Sequence, residues 1–220
     1  MNRKQRRLMV YVTTPLIFLI LGYSLLYIAL RPVLNMGISY AGMFMSREAP
    51  DFAGNFTSIY EEGSYDEEDA ASTIDRSDVK TPSIGTHYGE FINERIGLKA
   101  PVYYGDTGRI LDAGIGHYSG SYMPGFGRPI MLSAHNRTHF APLEDAEVGD
   151  IFVYRTHYGE YRYEVREIAV HDHRDRSAYD LRQQREELII YTCYDFTPIS
   201  GRKTDRIFFY LDKISGPEVH

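Results

Sequence analysis

The 220-residue sequence has one cysteine, Cys193, so no disulfide can close within the chain and no zinc site built on several thiolates is available. Glycine and proline, at 19 and 10 residues, are not enriched, which excludes a collagen-like or low-complexity chain. Positions 1–31 contain no acid, and positions 8–30 no charge of either sign. Beyond residue 31 there is no excess of positive charge: 19 bases face 30 acids. Such an acidic body repels phosphate backbones, so nucleic acid is not an expected partner. What the chain does have is apolar bulk, 43% of its residues, with 19 Tyr and 11 Phe to fill a core. Its length suits one domain with extensions, or two small ones.

The uncharged run LMVYVTTPLIFLILGYSLLYIAL spans 23 residues. At about 1.5 Å per residue, a helix of that length crosses a hydrocarbon core roughly 30 Å thick. A cleaved signal peptide would have a shorter apolar region and a small-residue cleavage pattern. Ala29-Leu30-Arg31-Pro32 offers none, so positions 8–30 read as an uncleaved transmembrane signal anchor. Arg3, Lys4, Arg6 and Arg7 precede it and only Arg31 follows closely, which places residues 1–7 in the cytoplasm and the body outside the cell. Residues 31–80 read as a stalk and flexible acidic linker. The apolar stretch 33–45 could extend the stalk, and Glu61, Glu62, Asp66, Glu67, Glu68 and Asp69 repel one another without a base among them. Their spacing lacks the alternating oxygen ligands and closing Glu of a calcium loop.

From residue 81 to 220 the pattern is mostly period two with turn residues between short runs. Residues 98–103, 129–134, 151–155, 161–170, 188–193 and 207–211 read as strands, and 107–113 and 138–146 as short helices. Residues 156–160 (THYGE) join two strands as a hairpin. The apolar phase flips at Arg166-Glu167, which predicts a β-bulge. Leu188–Tyr191 and Ile207–Leu211 are apolar at consecutive positions and read as central strands covered on both faces. This predicts a mainly β fold, a small closed or nearly closed barrel, with a sandwich fitting almost as well.

Cys193 ends an apolar strand and leads into the polar segment YDFTPISGRKTD, which puts it at a rim. A free cysteine is commonly a small core hydrophobe, but an unpaired one on an exported domain is a candidate reactive thiol. A thiol of ordinary pKa about 8.5 needs a basic partner to act as nucleophile at neutral pH. Among eight histidines, His135 closes the run PIMLSA at a strand rim, while His139, His171, His173 and His117 taken singly read as surface or hydrogen-bonded groups. Strands 188–193 and 207–211, joined by 194–205, would run antiparallel, bringing Arg206 to the edge that holds Cys193. A guanidinium there can hold an oxyanion forming beside the sulfur; Arg202 in the loop is a lesser rival.

These residues resemble the sortase family, the membrane-anchored cysteine transpeptidases of Gram-positive cell surfaces. The resemblance runs from about Thr86 to Ile214. It rests on LDAGIGHYSGSYMPGFGRPIML (111–132), SAHNRTHF (133–140), IIYTCYDF (189–196), similar to the family's TLxTC motif, and DRIFFY (205–210). Ile189 and Ile190 stand where that motif has Thr-Leu, and Ala134 and Asn136 flank His135 where Gly and often Arg are usual. The GHY, PG and TCY elements look most like class D. Asp51-Phe52 lacks the proline of the lid found in pilus-type members, and no second apolar run follows the domain.

The resemblance implies a closed barrel of about eight strands with short helices behind one N-terminal transmembrane helix. It implies catalytic roles for Cys193 (nucleophile), His135 (acid and base) and Arg206 (oxyanion), and substrate-binding roles for Thr192, Tyr194, Phe196 and Ala134, with loop 172–187 bordering the groove. No cofactor and no metal are implied. The expected reaction cleaves an LPXTG-like sorting signal between Thr and Gly or Ala through a thioester, then passes the protein to a peptidoglycan amine. Expected partners are therefore surface proteins with C-terminal sorting signals, the wall precursor and the membrane. Two other readings compete: a metal-dependent hydrolase using His135, His139, His171, His173 and Cys193, for which no HExxH glutamate is present, and a non-enzymatic surface β-domain with an inert, buried Cys193.

Overall fold

The computed structural model describes residues 11, 13–24, 26, 56–62, 73–196 and 204–220. The chain divides into two units, Met1–Asp51 and Phe52–His220. In the first, residues 13–24 are helical, and every side chain from Leu16 to Leu21 is apolar and more than half exposed. Among the described residues no helix is long and apolar enough to cross a membrane. Positions 8–10, 12, 25 and 27–30 of the expected span lie outside the described residues.

The described residues of the second unit form ten strands: β1 (Thr73–Ile74), β2 (His87–Asn93), β3 (Leu98–Tyr104), β4 (Ile115–His117), β5 (Ile130–Ser133), β6 (Ile151–Thr156), β7 (Gly159–Asp172), β8 (Glu187–Cys193), β9 (Asp205–Ser215) and β10 (Glu218–Val219). Eight close into a barrel in the order β2-β3-β4-β5-β8-β9-β7-β6, which decides against a sandwich. Closure leaves no unpaired edge. Short helical pieces connect them: an α-helix at Gly108–Ala113 and 3₁₀ turns at Ala141–Asp145 and Arg176–Ala178. The segment expected as a helix at 138–146 is thus only a 3₁₀ turn with Pro142 in its first turn, where a missing N–H costs nothing.

Strand alternation sorts the side chains. Leu188 and Ile190 of β8 and Phe209 and Leu211 of β9 point into the barrel with Phe91, Phe152 and Tyr163, while Ile189, Phe208 and Tyr210 form a second cluster outside it with Met131 and Ala178. The loop 173–186 supplies that outer cover through Ala178, whose carbonyl accepts from the Tyr210 hydroxyl. Both faces of β8 and β9 are dry for this reason, as their consecutive apolar residues require. Burying each such side chain contributes roughly 1.5–3 kcal/mol. The β7–β9 register slips between Val165 and Glu167, the position of the expected bulge, and β6 and β7 are joined by a two-residue turn. Strand β2 escapes the sequence pattern because Gly89 interrupts it. Any Cβ there would lie 2.3 Å from the Arg155 carbonyl oxygen, so the close approach of β6 demands glycine.

Two described pieces of the stretch read as a tether lie on the barrel. Phe56 packs on Tyr103 with ring centroids 5.1 Å apart, Arg109 stands over the Phe56 ring, and Ser58 bridges to His87. Further along, β1 pairs in parallel with β10. The acidic composition of the stretch hid these anchors, which depend on one aromatic ring and on backbone hydrogen bonds.

The barrel end at the start of β2 and the end of β6 is plugged by polar aromatics. The Tyr88 hydroxyl bonds both His117 Nδ1 and the Tyr154 hydroxyl, and His117 Nε2 meets Ser121 Oγ at 3.1 Å. Nearby, Glu186 accepts from Gly125 N, Gly127 N and, at 2.6 Å, the Tyr163 hydroxyl. Gly125 and Gly127 have φ of +88° and +64°, left-handed values that let both amides face one carboxylate.

Candidate active site

Cys193 is the last residue of β8, and in the antiparallel β8–β9 ladder it stands directly opposite Arg206. Alternation places both on the outer face of the barrel, in line with Tyr191 and Phe208, whose rings stack 5.4 Å apart. Cys193 is partly exposed, not buried, so a thiol reagent or a peptide can reach it from outside. The last residues of β7 complete the row, with His171 opposite Arg206.

His135 arrives from the other side of β8. Strand β5 runs parallel to β8 with Ser133 beside Tyr191. The pairing continues one residue further through a side chain, since the Thr192 hydroxyl donates to the Ala134 carbonyl at 2.7 Å. The next residue, His135, therefore leaves the strand level with Cys193. Beyond it the chain curls back, Thr138 N and Phe140 N both donating to the His135 carbonyl, and fully buried Phe140 fastens that curl to the core. A second tie links the loops after the two strands: Asn136 Nδ2 donates to the Asp195 carbonyl at 3.1 Å. Asp195 itself has φ +70°, unusual for a residue with a side chain, so the backbone is bent sharply two residues after the thiol.

Backbone pairing thus sets residues 135, 193 and 206 at the same rim of the barrel. The four expected substrate-binding residues do not behave alike. Tyr194 is 41% exposed beside Cys193 and is available to a ligand. Phe196 packs partly against the core. Thr192 and Ala134 are turned inward and buried, so they correct the expectation: their hydrogen bond holds β8 against β5 and sets where Cys193 and His135 emerge, and neither side chain faces the groove. The reason is the period of two, which sends residue 192 into the barrel whenever 193 faces out. Arg202 and the rest of 197–203 lie outside the described residues.

Sequence reasoning missed Asp112. Its carboxylate Oδ1 lies 3.3 Å from His135 Nε2, and its backbone carbonyl is 3.4 Å from His139 Nε2. Nothing in spacing ties residue 112 to residue 135; only the short crossover helix between β3 and β4 brings them together. The other histidines are engaged elsewhere. His171 Nδ1 meets Asp175 Oδ2 at 3.0 Å, and His173 Nδ1 meets the Thr204 carbonyl at 2.8 Å. Burial pushes His139 below the ordinary imidazole range. Among the described residues no three His, Cys, Asp or Glu side chains converge in a way that could hold a metal ion.

Comparison with known proteins gives the family. The family model described as Sortase domain matches residues 93–213, a span that includes His135, Cys193 and Arg206. Sortase D of Bacillus subtilis (strain 168) is 32% identical over 134 residues, covering 61% of this chain and 67% of its own. Among solved structures, a Sortase D5 transpeptidase of Clostridium perfringens superposes with TM-score 0.54 at 23% identity, over 61% of this chain and 82% of that one. Sortase C from Clostridium perfringens SM101 gives TM-score 0.54 at 24% identity, over 60% and 72%. At those identities the structural likenesses speak for the barrel alone. The family model and the Bacillus relative carry the assignment: this chain belongs to the sortase family of cysteine transpeptidases.

Proposed function

We propose that Cys193, His135 and Arg206 are the reacting groups of a membrane-anchored transpeptidase that joins surface proteins to the cell wall. The Cys193 sulfur attacks the carbonyl of Thr in an LPXTG-like signal, while His135 takes the thiol proton and returns it to the departing Gly or Ala amine. Arg206, directly across the ladder, holds the oxyanion with a fixed positive charge. A peptidoglycan cross-bridge amine then resolves the thioester, His135 accepting its proton, and the free thiol returns. Tyr194 and the loop 173–186 border the peptide on the outer face. The observation that carries this reading is the Cys193–Arg206 register pair with His135 emerging level with it from the neighbouring strand.

The apolar side chains exposed all round residues 16–21 support the anchor, since such a surface is at home in lipid. With four bases before it, the N-terminus lies in the cytoplasm and the barrel outside. The test uses the full chain in detergent or vesicles with a quenched sorting-signal peptide and an amine acceptor. Cys193→Ala abolishes cleavage and transfer without moving the melting temperature. Arg206→Lys lowers kcat about a hundredfold, because a point charge does not replace the planar fork. Cleavage that persists in Cys193→Ala refutes the reading.

A further inference from the structure

Asp112 lies in the last turn of the helix Gly108–Ala113, in a place fixed from several sides. Ile110, two residues earlier, is buried, and Gly114 N closes the helix on the Ile110 carbonyl. Gly114 leaves no slack, since a Cβ there would come within 2.6 Å of the Pro101 carbonyl oxygen. At the N-terminal side Arg109 lies over the Phe56 ring. The helix so held makes two contacts with the histidine loop through the same residue, the carboxylate on His135 Nε2 and the carbonyl on His139 Nε2.

We infer that Asp112 is a positioning residue for transpeptidation, holding the His135 ring by Nε2 so that Nδ1 is the nitrogen that exchanges the proton with Cys193 and the departing amine. The inference rests on the assignment of Cys193 and His135 as the reacting pair. An ionised carboxylate can only accept hydrogen bonds, so its presence at Nε2 selects the ring form that carries hydrogen there. The same contact favours the doubly protonated ring that forms while the sulfur attacks, as a carboxylate accepting from the far nitrogen orients the ring of a metal-bound histidine. The backbone of residue 135 is already fixed by Thr138 and Phe140, which leaves ring orientation as the remaining freedom. With His135 48% and Asp112 64% exposed, the contact has the strength of a surface pair, and its loss changes a rate by a small factor rather than abolishing it.

The experiment compares Asp112→Asn, Asp112→Glu and Glu144→Gln in the full chain with the same quenched peptide. Glu144 is an exposed acid of the neighbouring 3₁₀ turn and serves as a charge-matched control. Asp112→Asn lowers kcat about fivefold at unchanged KM, Asp112→Glu restores most of it, and Glu144→Gln leaves it alone. Raising the salt to about 0.5 M screens the pair, so the wild-type rate falls toward that of Asp112→Asn while the variant barely responds. Nitrogen-15 spectra of the imidazole show the Nε2–H form dominant in the wild type and a mixture in Asp112→Asn. An unchanged kcat in Asp112→Asn, an equal loss in Glu144→Gln, or a change in KM alone overturns the inference. If Cys193→Ala and His135→Ala are inactive while Asp112→Asn behaves as wild type, only this inference falls; if Cys193→Ala remains active, the reading beneath it falls as well.

Discussion

The two ends of the barrel are built from opposite materials. At the base, Tyr88, Tyr154, His117 and Tyr163 are completely buried polar groups bonded to one another or to Glu186. At the mouth, Cys193, His135 and Arg206 are each partly or largely exposed, and what fixes them is backbone pairing plus single side-chain ties from Thr192, Asn136 and Asp112. Buried polar networks are strong when every member is satisfied and costly when one is lost. The base is therefore where stability resides, and the mouth is where the groups proposed to react are held with less constraint. Damage at one end should leave the property of the other end intact.

The largest break in that pattern comes from His135→Ala, which lowers kcat/KM by more than about a thousandfold while the melting temperature stays within a degree or two. Glu186→Ala does the reverse. It strands Gly125 N, Gly127 N and the Tyr163 hydroxyl, costs about 2–4 kcal/mol, and lowers the melting temperature by roughly 10 °C with kcat of the folded enzyme unchanged.

Acid sharpens the contrast without any mutation. Burial holds His117 down to about 4, well below an unfolded imidazole, so the unfolded chain binds the proton first and stability falls as pH drops from about 6.5 to about 4. His87 and His157, both lowered by burial, add to the loss in the same direction. The expected loss from His117 alone is on the order of 3 kcal/mol, read by thermal melts across that range and reduced in His117→Gln. Smallest is Asn136→Ala. It releases the loop after Cys193 from the histidine loop, with a cost near 1 kcal/mol and a few-fold fall in kcat.

The same division explains what was legible in the sequence. The strands with clean alternation or unbroken apolar runs, β6 to β9, were readable with their hairpin and bulge, because each has a face that must be buried. The opposition of Cys193 and Arg206 followed from an antiparallel return over a loop of known length. Strand β2 was hidden by Gly89, which serves its neighbour β6, and β4 by being only three residues long. The base network was invisible because tyrosines at 88, 154 and 163 look like ordinary strand aromatics until closure brings them together. The family resemblance placed Thr192 and Ala134 at the groove beside Cys193 and His135, yet adjacency along a strand means opposite faces. Asp112 illustrates the remaining difficulty: a carboxylate 23 positions away becomes a neighbour only through a three-dimensional crossover.

The parallel clip of Thr73–Ile74 on Glu218–Val219, together with the docking of residues 56–62 near His87, has a mechanical consequence. Both attachments lie around the base, away from Cys193. A pull along the chain from residue 56 meets the pairing of residues 57–59 with His87 first and the two-residue β1–β10 clip second. Each is short enough to peel away at low force, while the closure of the eight strands that carries Cys193 stays intact.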